Sequence, residues 1–361
     1  MDHIVDLESC TLNRLNRLKS TGRQIGHSSY CSIHEVEVDG VVCAAKRIFP
    51  MLIQSKNDSQ GAEKTKKKFV EECILMSKLH HPHILQFIGV YYPSAEDECY
   101  SSCLTYGITP GLPWLVMENL PYTLEDILSN RPNIPTCIKV SFLLDITKGL
   151  LYLHNRDIYH RNLTAGTVSI TSSMVAKITD FGVAKIFSCH PATVNEYTPL
   201  PGNYLYMPPE ADQERSDGGT ASYRNTIDIF SFGVIILFTI TQTSPYDLTL
   251  LPATYPDPGN PSRVKGRTEV ERRRHHFDII AKRDVTDKCA EENRLLVELC
   301  QCCLLNEPKC RPNAEEMLEK LADIEKTSLT SSSTEMWKMD KLELMMALQK
   351  VSNLCSYISS M

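Results

Sequence analysis

No stretch of this 361-residue sequence is apolar for long enough to cross a bilayer. The longest apolar run, Ile227 to Ile240, is interrupted by Asp228 and Ser231 and fits a buried helix better than a membrane span. The first residues, Met1-Asp2-His3-Ile4-Val5-Asp6, lack the basic and then apolar pattern of a secretory signal, so a cytoplasmic location is expected. There is no strong excess of one charge. With 38 Lys and Arg against 44 Asp and Glu, the net charge of -6 gives no wholesale attraction to nucleic acid or to a membrane surface. The 14 cysteines are many, but without a secretory signal their scatter favours reduced thiols over a disulfide framework. Cys300, Cys302 and Cys303 lie in a helical run, Asn293 to Leu305, with no Cys–His set nearby, and read as packed core thiols rather than a metal site.

What is present is a soluble-type composition and enough length for one large or two ordinary domains, each with a core of its own. Residues 1–20 read as a short helical lead-in carrying Leu12, Leu15 and Leu18. From Gly22 the pattern alternates, and Val36, Val38, Val41, Val42 and Ala44-Ala45 frame a hairpin turn at Asp39-Gly40. Lys46 ends the third strand of this set. Such a lysine, following an apolar run, needs an acidic partner to be tolerated inside. Lys64 to Leu79 is a helical pattern with Phe69, Cys73, Met76 and Leu79 on one face, and Glu72 beside that face supplies the partner. Glu71 reads as solvated. The run Lys64, Lys66, Lys67, Lys68 reads as an exposed helix start, with a phosphate-binding patch as the alternative. Ile84 to Tyr92 and Trp114 to Met117 read as strands separated by a polar insertion, and Val140 to His154 as an amphipathic helix.

Several motifs resemble those of protein kinases. Cys43-Ala44-Ala45-Lys46 resembles the strand motif that ends in the nucleotide-binding lysine, and Glu72 falls where the C-helix glutamate pairs with it. His160-Arg161-Asn162-Leu163-Thr164-Ala165-Gly166-Thr167 resembles the catalytic loop, and Asp180-Phe181-Gly182 the metal-binding motif. Pro208-Pro209-Glu210 resembles the end of the activation segment, which holds Thr193, Tyr197, Thr198 and Tyr204, and Arg161 would face a phosphate added there. Asp228 falls where the central helix braces the catalytic loop, and Arg311 where it pairs with Glu210. The segment Gly202 to Met207 leans toward tyrosine kinases and tyrosine kinase-like kinases. The resemblance spans about residues 22–326 and implies an α+β, two-lobed fold with a small β-rich lobe and a larger helical one. It implies a lead-in at 1–21, an N-lobe and hinge at 22–120, a C-lobe at 121–326, and a Ser/Thr-rich linker with a terminal helix at 327–361.

The resemblance also implies a binding site for ATP and Mg2+. Ile25, Gly26 and Ile33 would form the lid over the nucleotide, Ala44 and Met117 the adenine pocket, and Glu118 and Leu120 the backbone edge that faces the base. Lys46 and Glu72 would hold the phosphates. Asp180 would hold the metal, with Thr167 a weak second ligand. The lid keeps only Gly26; Ser28 and Cys31 replace the other glycines, which implies a stiffer lid and a looser phosphate grip. Ser169 stands where an apolar residue usually lies beneath the adenine. At the catalytic Asp position stands Asn162, a degenerate base. Loss of a general base costs roughly 10²–10⁴-fold in rate. Thr167 offers one hydroxyl where an Asn amide oxygen would bind the second Mg2+. The expected function is therefore a pseudokinase that retains some ATP binding and acts as a signalling scaffold or allosteric partner. The alternative is a weakly active kinase that transfers the γ-phosphoryl group to Ser, Thr or Tyr of proteins. Partners are expected to be protein substrates or signalling proteins, not nucleic acid. A four–three pattern at Leu344, Leu348, Val351, Cys355 and Ile358 makes residues 335–358 a possible dimer helix.

Overall fold

The computed structural model describes residues 12–27, 30–49, 59–93, 112–130, 134–186, 204–208, 210, 224–242, 244 and 294–328. Readings made for residues 1–11, Ser28, most of the insertion between Tyr92 and Trp114, Thr193, Tyr197 and Thr198, and the terminal helix at 335–358 lie outside the described residues. The chain divides into two units, one made of residues 1–121 and 179–184 and the other of 122–178 and 185–361.

The first unit is built on five antiparallel strands in the order β1-β2-β3-β5-β4, where β1 is Lys19–His27, β2 Cys31–Val38, β3 Val41–Ile48, β4 Phe87–Tyr91 and β5 Trp114–Glu118. The β2–β3 hairpin closes at Asp39 and Gly40, both at positive φ (50° and 81°), the geometry a two-residue turn of this hand requires. Side chains alternate across a strand. One face therefore collects Val36, Val38, Cys43, Ala45, Tyr91, Trp114 and Val116 into an apolar core. The opposite face carries Lys46 toward helix α1 (Ser59–Ser77), whose buried residues include Phe69, Glu72, Cys73 and Met76.

The lead-in differs from its expected helix. Leu15 and Leu18 pack on the apolar core, and the backbone pairs with β4 through Leu15 N–H to Val90 O (2.9 Å) and Val90 N–H to Asn13 O (2.8 Å). A leucine every third residue suits a helix, but an open sheet face with unpaired groups on β4 captures this segment as extended chain. The close approach needs Gly89, where a Cβ would lie 2.6 Å from Asn13 O.

The second unit is mainly helical. Its elements are β6 (Tyr122–Thr123), α2 (Leu124–Asn130), α3 (Thr136–His154), β7 (Ile158–Tyr159), β8 (Val168–Ile170), β9 (Ala176–Ile178), β10 (Lys185–Ile186), α4 (Arg224–Thr241), α5 (Arg294–Cys303) and α6 (Ala314–Ser328). Strands β6, β8 and β9 form one small sheet, β7 and β10 another. Helix α4 is buried all round from Ile227 to Ile240, as an interior helix must be when apolar on every face. Asp145 of α3 accepts the Ala176 N–H (3.1 Å) and pins β9 to that helix. Cys300 donates to Gly233 O and Cys303 lies 3.4 Å from Met317 Sδ, so these thiols are part of the packing between α4, α5 and α6. No helix among the described residues is long and apolar enough to cross a membrane.

Candidate functional site

In the first unit the strand registers gather the predicted nucleotide residues. Gly26 pairs with Ile33, Ile33 with Lys46, and Ala44 with Met117, so these five share the face of the sheet opposite the apolar core. Ile25 sits at an irregularity of β1 and is exposed. Ala44 and Met117 are buried, and Leu120 is half-buried after β5. The Glu118 carboxylate accepts the Gln86 N–H (2.7 Å), and the Glu118 N–H donates to Gln86 O (3.1 Å), which fixes the end of β5.

Lys46 is 3% exposed, yet its ammonium is satisfied. It donates to Glu72 Oε1 at 2.7 Å and to Asp180 Oδ1 at 3.2 Å. Burial alone would pull its pKa down; the two carboxylates outweigh burial and hold it well above the ordinary lysine value. Glu72 is as buried as Lys46, whereas the Asp180 side chain is 40% exposed and sits on a left-handed backbone, φ 62°. Removing Lys46 would leave the buried Glu72 carboxylate without its counter-charge, a cost of about 3–5 kcal/mol.

The second unit holds the predicted catalytic loop. Asp228, fully buried on α4, accepts the His160 N–H (2.9 Å) and the Arg161 N–H (2.8 Å) and lies 3.0 Å from His154 Nε2. Arg161 is held at φ 65° beside it. Burial pushes the Asp228 carboxyl up, but His154, His160 and the Arg161 amide hold it below the ordinary aspartate value. Asn162 follows, buried, with its carbonyl accepting the Thr167 hydroxyl (2.9 Å). Thr164 and Thr167 cap one another: Thr167 N–H donates to Thr164 Oγ1 (3.1 Å) and Thr164 N–H to Thr167 Oγ1 (2.9 Å). The Thr167 hydroxyl thus tightens the loop. The Thr-x-x-Thr spacing carried that signal, as a variant of the capping box. Ser169 lies on β8, paired with Lys177 and Thr123. Arg311 forks onto Glu210 through Nη1 to Oε1 and Nη2 to Oε2 (2.8 Å), with Phe230 under the guanidinium.

Reading the sequence for motifs missed Tyr30. Its ring centroid is 5.4 Å from Lys46 Nζ. A Cβ on Gly182 would lie 2.6 Å from Tyr30 Oη and 3.3 Å from Glu72 Oε2. Burial drives the phenol far above its ordinary pKa. An aromatic residue inside a degenerate glycine loop looks like filler in the sequence; only the fold turns it toward the lysine.

The profile of the protein tyrosine and serine/threonine kinase family matches residues 20–321. The chain belongs to that family, on its tyrosine kinase-like side, and has the family's α+β fold. It is 28% identical over 229 residues to the serine/threonine-protein kinase STY46 of Arabidopsis thaliana, covering 63% of this chain and 34% of that protein. It is 28% identical over 324 residues to the receptor-like serine/threonine-protein kinase NCRK of the same plant, covering 84% and 50%. It is 26% identical over 273 residues to the serine/threonine/tyrosine-protein kinase HT1, also of Arabidopsis thaliana, covering 75% and 59%. The chain thus spans between a third and three fifths of the length of these relatives.

Kinase domains in general use ATP and Mg2+. The residues of the first unit fit that pair of ligands. A buried lysine with an exposed carboxylate beside it is a donor set for phosphate and for a hard cation. Among the described residues no group of three or more His, Cys, Asp or Glu is placed to hold a metal alone. A Mg2+ at Asp180 would take phosphate oxygens and waters as its other ligands, the usual manner for this ion.

Proposed function

We propose that the protein is a pseudokinase. On this reading it holds Mg-ATP weakly through Lys46, Glu72 and Asp180, does not transfer phosphate, and acts as a signalling scaffold or allosteric partner of other proteins. One observation carries the reading: the lysine–carboxylate centre is assembled, while the position of the general base is an amide. The Asn162 carboxamide can hydrogen-bond a hydroxyl but cannot accept its proton at neutral pH. Ile25, Ile33, Ala44 and Met117 would flank the adenine, with the backbone at Glu118 and Leu120 along its edge and Gly26 over the phosphates. Asp180 would ligate Mg2+, and Thr167, its hydroxyl already used within the loop, would contribute little. Bound nucleotide stabilises whichever conformation binds it, and that conformation is what a partner would recognise.

A second reading, a slow but real protein kinase, is favoured by the intact Lys46–Glu72 pair and by the relatives, which are named as kinases. Thermal unfolding with and without Mg-ATP tests the nucleotide site. The midpoint is expected to rise at millimolar Mg-ATP, and Lys46→Ala and Asp180→Asn are each expected to abolish the rise. No rise in the wild type would leave a kinase-shaped protein-binding module.

A further inference from the structure

Lys46 has three N–H donors and can serve a phosphate only with what its neighbours leave over. Glu72 and Asp180 take two close contacts, at 2.7 and 3.2 Å. The Tyr30 ring lies against the same ammonium, within the range of a cation–π contact. Its hydroxyl fills the space beside Gly182, where a Cβ would lie 2.6 Å from Tyr30 Oη and 3.6 Å from Asp180 Oδ1. The backbone that carries the ring is anchored: Phe49 N–H donates to Tyr30 O (3.0 Å), and Cys31, which stands where the family has its third lid glycine, is buried and paired with Ile48. A glycine at Cys31 would let this backbone flex away; a buried side chain in a strand pair does not.

We propose that Tyr30 occupies the phosphate side of the Lys46 centre and thereby sets how tightly the protein holds nucleotide. The triphosphate and the ring compete for one ammonium, so binding requires Tyr30 to leave. This inference rests on the nucleotide reading given above and adds the residue that limits it. The ring carries the effect and the hydroxyl is secondary, because the contact to Lys46 is made by the aromatic face. Tyr30→Phe should therefore resemble the wild type, and Tyr30→Ala should not.

The test is Mg-ATP titration of the full chain by calorimetry for the wild type, Tyr30→Ala, Tyr30→Phe and Lys46→Ala. It is paired with the rate at which a small amine-directed acylating reagent labels Lys46, followed by mass spectrometry of the digest. Losing a cation–π competitor should tighten Mg-ATP binding by roughly two- to thirty-fold in Tyr30→Ala. Labelling of Lys46 should speed up in the same variant, both quantities should stay near wild type in Tyr30→Phe, and Lys46→Ala should not bind. Equal affinity and equal labelling in the wild type and Tyr30→Ala would overturn the role of Tyr30 while leaving nucleotide binding in place. Absence of Mg-ATP binding in every protein, with faster labelling in Tyr30→Ala, would overturn the nucleotide reading and the competition with it, leaving Tyr30 only as a cover on Lys46.

Discussion

Asp228→Asn removes one charge and one acceptor from the brace of the catalytic loop. The carboxylate serves three neighbours: Oδ2 faces the His160 N–H and His154 Nε2, and Oδ1 faces the Arg161 N–H. An asparagine in the same rotamer keeps its single oxygen best at the Oδ2 position, which leaves its amide group pointing at the Arg161 N–H. One charge-assisted hydrogen bond is lost, worth about 1.5–3 kcal/mol. The bond also sustains Arg161 at φ 65°, a conformation that costs a non-glycine residue about 1–2 kcal/mol. The variant is expected to lose about 2–4 kcal/mol in urea unfolding followed by far-UV circular dichroism, and the amide proton of Arg161 is expected to exchange much faster than in the wild type. Because the folded carboxyl lies below the ordinary aspartate value, its stabilisation is complete above about pH 4 and disappears as the pH falls through the folded value. The wild type should therefore shed more stability than Asp228→Asn below that pH. A loss under about 0.5 kcal/mol, the level of an ordinary surface change, with Arg161 exchange unchanged would refute the account of the brace.

Arg311 spends all its donors, on Glu210, Thr226 O, Leu305 O and Asn306 O, so Arg311→Met strands a buried carboxylate and should cost about 3–5 kcal/mol. Arg311→Met combined with Glu210→Leu should recover most of that in a double-mutant cycle of urea-unfolding energies; additive losses would show that the two side chains are not coupled. Gly233→Ala would place a Cβ 2.7 Å from Cys303 Cβ and 3.0 Å from Leu304 Cδ2, and should destabilise by about 1–3 kcal/mol despite the better helix propensity; a rise in thermal midpoint would contradict that packing. Thr167→Val removes the reciprocal cap and should cost about 0.5–2 kcal/mol, whereas Thr167→Ser should stay near wild type by the same unfolding assay.

Much of this architecture is legible in the amino-acid sequence. Lys46, Glu72 and Asp180 were readable because a lysine after an apolar strand and a glutamate beside an apolar helix face each need a partner, and the motif order supplied them. The brace by Asp228 and the Arg311–Glu210 pair came from the same resemblance, and the hydrogen bonds now give them physical content. The lead-in was not readable: Leu12, Leu15 and Leu18 carry helical spacing, and the backbone groups of β4 that draw the segment into extended form lie some 75 residues away in sequence, as the Asn13 to Ile88 bond shows. Tyr30 escaped for a similar reason, since its role depends on a through-space approach to Lys46. The Thr164–Thr167 box was visible as a spacing, but the loop motif drew attention to the lost metal ligand rather than to the hydroxyl that took its place.

Phosphotransfer from Mg-ATP to a generic protein acceptor, and to the protein itself, tests the central claim most directly. The proteins compared are the wild type, Lys46→Ala, Asp180→Asn and Asn162→Asp. The account predicts that the wild type transfers no more phosphate than the Lys46→Ala and Asp180→Asn proteins. Wild-type transfer that both of those substitutions abolish would contradict it and make the protein a working kinase without the usual carboxylate base.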